Sequence, residues 1–68
     1  MTERLANSLK AERERLGLTQ AALAERVGVS RNTINTVENG VFVPSTLLAL
    51  KLAAALERPV EALFRIED

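Results

Sequence analysis

The chain has no cysteine and no histidine. Disulfides and thiolate metal sites are therefore excluded, and the commonest metal ligand and commonest general base are both missing. Asp68 is the sole aspartate. The carboxylate pair Glu12 and Glu14 is two residues apart, which turns the two groups to different sides of a helix. With no nucleophile–base pair and no metal cage in sight, neither catalysis nor a cofactor is expected. Aromatic residues are scarce: Phe42 and Phe64 are the whole set, with no tryptophan or tyrosine. Long apolar runs are missing as well. Segments such as Leu47–Leu50 fall far short of the ~20 residues that span a bilayer, and Met1–Lys10 has no apolar stretch of signal-peptide length. A cytoplasmic location away from membranes is expected.

Charge of one sign is not in excess either. Nine Lys/Arg face nine Asp/Glu. Residues 1–40 hold six bases and five acids, and residues 41–68 hold three and four. Domains that bind polyanions through bulk charge are strongly basic, so any such contact here has to rest on individually placed residues. A chain of 68 residues makes one small domain, residues 1–68, with a modest core. It has no room for a deep pocket, and no small-molecule ligand is evident.

What is present is helix-forming composition. Leu and Ala together make up 21 of the 68 residues, and both rank near the top in helix propensity. The punctuation predicts an all-α fold of five short helices. The first runs from Glu3 to Leu16, with Thr2 as N-cap, Gly17 as stop, and Leu5, Ala6, Leu9 and Leu16 on one face. Arg13 falls on that apolar face, as a snorkelling side chain or as a buried, paired charge. The second starts after Thr19 and ends at Gly28, with Leu23, Ala24 and Val27 inward. The third is capped by Ser30 and stopped by Asn39-Gly40, with Ile34 and Val37 inward. The fourth runs from its cap at Ser45 to Leu56 or Glu57, with Ala49, Leu52, Ala53 and Leu56 as its inner stripe. Pro59 suits the first position of a fifth helix, Val60 to about Phe64. Arg65–Asp68 is a frayed tail or a short edge strand.

The segment Thr19–Gly40, TQAALAERVGVSRNTINTVENG, carries the chemistry. Its second helix docks through two apolar residues and offers amides, hydroxyls and one arginine elsewhere. Arg suits guanine, Asn suits adenine, and Thr brings a hydroxyl and a methyl for thymine. The helix starts after Thr19 and Ser30 present free N–H groups, which favour phosphate oxygens.

This segment resembles the helix-turn-helix of the phage repressor and Cro family, the xenobiotic-response-element type. The matching pieces are Leu16-Gly17-Leu18-Thr19-Gln20, Leu23-Ala24, Val27-Gly28-Val29-Ser30-Arg31, Thr33-Ile34, Glu38-Asn39-Gly40 and Pro44-Ser45. Leu50-Lys51-Leu52-Ala53 and Glu61-Ala62-Leu63-Phe64 continue the likeness over nearly the whole chain. The resemblance implies a repressor-like DNA-binding bundle, with the helix-turn-helix at about residues 19–39. It implies base contacts from Arg31, Asn32 and Thr36, with Thr33 and Asn35 lining the same face. It implies that Gln20 meets a phosphate and supports the third helix, and that Asn39 and Gly40 present N–H groups to a phosphate. Arg13 and Glu38 match a buried ion pair of the family. Two departures stand out. Val41-Phe42-Val43 replaces a frequent Lys or Arg after Asn-Gly, and Ala22 replaces a frequent acid.

The apolar excess of the fourth helix needs cover. The expectation is an isologous dimer through residues 57–68, with Val60, Leu63, Phe64 and Ile66 at the interface. The function expected is a sequence-specific, dimeric regulator of transcription, most simply a repressor, bound to a palindrome in double-stranded DNA. The competing expectation is a protein-interaction or antitoxin-like module of the same fold, which the zero net charge favours.

Overall fold

The structure, a computed structural model, describes residues 2–68; Met1, the first residue of the expected domain, lies outside them. In chain order the elements are β1 (Arg4–Asn7), α1 (Leu9–Arg15), α2 (Gln20–Val27), α3 (Arg31–Glu38), α4 (Thr46–Leu56), α5 (Val60–Leu63) and β2 (Phe64–Glu67). Five helices are present among the described residues, as expected, but the fold is not purely all-α. β1 and β2 pair antiparallel, with Arg4 opposite Glu67 and Leu5 opposite Ile66.

This sheet corrects the reading of the N-terminus. The first helix starts at Leu9, after Ser8, and neither Thr2 as its cap nor Leu5 and Ala6 as its face survives. Asn7 is the local cause. Its Oδ1 accepts the Leu9 N–H at 3.0 Å, a turn-forming bond that competes with helix continuation. The strand Arg4–Asn7 is then held by the far end of the chain. Arg4 pairs with Glu67 at 3.2 Å, and the Ser8 N–H donates to Leu63 O at 2.9 Å. Of the two alternatives for the C-terminus, the strand is the one realised, and it takes Phe64 away from the fifth helix. Pro59 precedes that helix as its cap residue, in extended backbone.

The remaining helices start where their caps stand. Thr19 Oγ1 accepts from Ala22 N–H, Ser30 Oγ from Thr33 N–H and Ser45 Oγ from Leu48 N–H, all at 3.0–3.1 Å. Each such cap stabilises its helix by about 1 kcal/mol. Gly28 ends α2 in the left-handed region, at φ 75°, which glycine adopts without strain. That conformation lets the chain reverse into α3 within three residues.

Leu9, Leu23, Ile34, Leu52, Leu56 and Leu63 are wholly enclosed, and together they draw on α1 through α5. On α4 the inner stripe is Leu48, Leu52, Ala53 and Leu56, while Ala49 is only half-buried. Leu48 lies one turn before Leu52, and its larger side chain takes the place expected for Ala49. Glu12 ties the end of α4 to α1. It accepts from Arg15 at 2.6 Å and Arg58 at 3.1 Å, and Arg15 also reaches Leu56 O at 2.9 Å.

Candidate nucleic-acid interface

α3 is anchored by Ile34 and Val37, which are 0% and 1% exposed. The 3.6-residue period then distributes the rest of the helix. Arg31 and Asn32 are exposed, and Thr33, Asn35 and Thr36 are half-buried along the same helix. Three features decide what this surface can offer a ligand.

The first is that its one acid is hidden. Glu38 turns inward, its side chain 4% exposed, and meets Arg13 Nε at 2.7 Å. Arg13 Nη2 reaches the other carboxylate oxygen at 3.3 Å, and Nη1 donates to Leu18 O at 2.8 Å. The hydrogen bond to Glu38 raises the Arg13 pKa above its already high ordinary value, against the opposing effect of burial. Arg13 is thus the buried, paired charge of the two alternatives in the sequence. Every guanidinium nitrogen has a partner, which a buried pair requires if its desolvation is to be offset. With Glu38 withdrawn, Arg31 is the only charge that α3 turns outward. Zero net charge over the chain therefore conceals a locally cationic face.

The second is that Arg31 and Asn32 make no side-chain hydrogen bond among the described residues, which leaves their donors and acceptors available. The hydroxyls are more committed. Ser30 Oγ lies 2.9 Å from Thr33 Oγ1, and Thr36 Oγ1 donates to Thr33 O at 3.0 Å. Thr36 therefore presents mainly its methyl group and lone pairs.

The third is the fate of the backbone donors. The N–H groups of Gln20, Ala21, Arg31 and Asn32 have no carbonyl partner at the two helix starts. Those of Asn39 and Gly40, expected at a phosphate, are bonded to Asn35 O and Val37 O, both at 3.1 Å. Gly40, with no side chain, has no donor left. Gln20 supports the third helix with its side chain, as expected. Its side-chain NH2 donates to Glu38 Oε1 at 3.0 Å and Asn35 Oδ1 at 3.2 Å, so only its main-chain N–H remains for a phosphate.

Asn7 is a positioning residue that the reading of the sequence passed over. Besides starting α1, its Nδ2 donates to Val37 O at 2.9 Å and so holds the end of α3. The signal was present in Asn7-Ser8, two residues of cap type in what was read as helix interior. Among the expected interface residues, Leu63 is wholly enclosed and Phe64 is 9% exposed. Both complete the chain's own core, because β2 folds back over α5.

Two capped helices joined by a tight turn, the second with a polar outer face, define a helix-turn-helix domain. The comparisons agree: a family model described as "Helix-turn-helix" matches residues 9–63, and the chain belongs to that family. It is 42% identical over 64 residues to YgzD of Bacillus subtilis (strain 168), an uncharacterized HTH-type transcriptional regulator, covering 94% of this chain and 97% of that one. A second uncharacterized HTH-type transcriptional regulator, from Methanothermobacter thermautotrophicus (strain Delta H), is 46% identical over 61 residues, with 88% of each chain covered. Among solved structures, the restriction-modification controller protein C.AhdI from Aeromonas hydrophila superposes with a TM-score of 0.75. It is 35% identical, over 79% of this chain and 82% of that one. No helix among the described residues is long and apolar enough to cross a membrane.

Proposed function

We propose that this protein is a sequence-specific DNA-binding regulator of transcription that inserts α3 into the major groove. The observation that carries the reading is the division of α3. Ile34 and Val37 dock it, Glu38 is withdrawn into the Arg13 pair, and Arg31 and Asn32 stand exposed with unused hydrogen-bonding groups. Arg31 and Asn32 read base edges. Thr33, Asn35 and Thr36 follow along the groove. The free N–H groups at the starts of α2 and α3, beside Thr19, Gln20 and Ser30, take phosphate oxygens. Asn39 contacts the backbone through its side chain. The regulatory role of the relatives supports extending the reading from binding to control of transcription.

The proposal includes a homodimer acting as a repressor by occluding a promoter. One α3 covers too few base pairs to define a site. Two of them about a two-fold axis read a palindrome with half-sites ~34 Å apart. The interface proposed lies in residues 57–68 and the apolar surface beside them: Ile66, 72% exposed, Leu50, 55% exposed, half-buried Val60 and the edge of Phe64.

Selection of bound duplexes from a random pool, followed by anisotropy at two salt concentrations, tests the reading. A palindromic consensus and nanomolar-range binding are expected. The salt dependence is expected to be shallow, because each neutralised phosphate contributes about −0.9 to the slope and Val41-Phe42-Val43 supplies no cation. Failure to enrich any duplex at low salt overturns the reading in favour of a protein-interaction module. Sedimentation that gives a monomer at high micromolar concentration, with and without DNA, removes the dimer.

A further inference from the structure

Resting on the reading of α3 as the DNA-contacting helix, we infer that Asn35 is a donor-only contact. Gln20 turns its amide so that it selects hydrogen-bond acceptors on the duplex and refuses donors.

A free asparagine has no such polarity. A half-turn about its last bond exchanges the oxygen and the NH2 group, which have nearly the same shape. Here a charge dictates the choice. Glu38 Oε1 accepts from Arg13 Nη2 at 3.3 Å, and a carboxylate offers acceptors only. The Gln20 group 3.0 Å from that oxygen is therefore its NH2. The same NH2 lies 3.2 Å from Asn35, so the Asn35 atom that faces it is Oδ1. Asn39 Nδ2 approaches this oxygen too, at 3.4 Å. Both lone pairs of Asn35 Oδ1 then have a donor. Turning the amide over would set donor against donor at Gln20, whose own amide Glu38 holds in place. The Nδ2 of Asn35 has no partner among the described residues. Polarity thus passes along a line of contacts, from the Arg13 guanidinium through Glu38 and Gln20 to the face of α3.

The consequence is chemical selectivity. Asparagine usually grips adenine with both ends of its amide. Asn35 is unable to, because its oxygen is occupied, and that role falls to Asn32. What Asn35 can meet is an acceptor: guanine O6 or N7, adenine N7, thymine O4, or a phosphate oxygen. Cytosine N4 and adenine N6 are refused. Gln20 acts as the positioning residue.

The first test needs no DNA. In the full chain labelled with ¹⁵N, both side-chain amide protons of Gln20 exchange with water at least about tenfold more slowly than those of Asn35, since hydrogen-bonded amides are protected. Equal rates, or protection of Asn35 alone, overturn the assigned orientation. The second test compares duplex selection by the wild type, Asn35→Ala, Asn35→Asp and Gln20→Met. Asn35→Asp keeps acceptors for Gln20 and Asn39 and removes the outward donor, so it folds like the wild type. It binds DNA at least as poorly as Asn35→Ala, whose loss is about tenfold for one hydrogen bond. Flattened preference at one position per half-site assigns the acceptor to a base. Uniform weakening of every sequence assigns it to a phosphate. For a base acceptor, Gln20→Met frees the amide and widens the preference there to bases that present a donor. Wild-type affinity in Asn35→Asp overturns the inference. A wild type that binds no duplex removes the DNA reading itself, while the exchange rates still report on the amide.

Discussion

α3 and α4 pack on one core, yet their outer faces differ in kind. α3 turns arginine and amides outward, whereas α4 exposes Leu47 and Leu50, at 64% and 55%. α3 has only two buried residues and needs a polar device, the Arg13–Glu38 pair, to hold its far end. α4 buries four apolar residues and is anchored mainly by them, with Arg15 on Leu56 O and the surface pair of Arg58 and Glu12 at its end. The contrast teaches that one small core can hold two helices by different means. The means chosen leaves one outer face suited to polar partners and the other to apolar ones.

The strongest way to break the contrast is Glu38→Ala. It strands the Arg13 charge in the interior, at a cost of about 3–5 kcal/mol, comparable to the whole stability that a core this small supplies. Urea unfolding measures it. The double replacement Arg13→Met with Glu38→Leu should recover most of the loss. If Glu38→Ala is nearly neutral, the pair does not hold α3. Next comes Leu52→Ala, expected to cost about 2–5 kcal/mol through the cavity it leaves. Leu47→Ser, on the opposite face, stays within about 0.5 kcal/mol. Similar losses in the two variants would contradict the one-sided packing of α4.

Arg31→Ala sharpens the contrast on the side of function. It should weaken the best DNA site by about 1–3 kcal/mol and relax preference at one position, leaving the urea midpoint unchanged. An unaltered consensus removes Arg31 from the reading face. Ser30→Ala should lower stability by about 1 kcal/mol through loss of the α3 cap, seen as a lower thermal midpoint.

The smallest effect is one of pH. The hydrogen bond from Arg15, with the charge of Arg58, holds the Glu12 carboxyl below the usual carboxylate range. A folded-state pKa below the unfolded one adds stability above the ordinary glutamate value of about 4.3, and that contribution disappears as the pH falls through the lower folded value. The side chain sits at the surface, so the contribution is slight. Melting curves between neutral pH and pH 3 should show Glu12→Gln with a weaker acid dependence than the wild type. Identical profiles would remove Glu12 from the link between α1 and α4.

Much of the outer face of α3 was legible along the chain. Thr19, Ser30 and Ser45 announce their helices, Gly28 marks the turn, and Ile34 and Val37 reveal by spacing which side of α3 faces inward. All of these are decided within a few residues, by capping bonds and helical period. The N-terminal strand was not legible. Leu5, Ala6 and Leu9 also fit a helical stripe, and β1 exists because β2 is there to pair with it. The donor state of the face was hidden in the same way. Asn39 and Gly40 look like free N–H groups until the end of α3 bonds them, and nothing along the chain shows that the Gln20 NH2 is shared between Glu38 and Asn35.

By itself, then, the sequence determined the helix-turn-helix: where its helices begin, which side is apolar, and that Arg31 and its neighbours are polar. Only the tertiary structure decided that the termini form a sheet, that Leu63 and Phe64 are enclosed, and that a buried ion pair orients Gln20 and Asn35. The physical reason is range. Caps and periodicity act between residues a turn apart, whereas strand pairing, enclosure and hydrogen-bond polarity depend on groups that only the fold brings together.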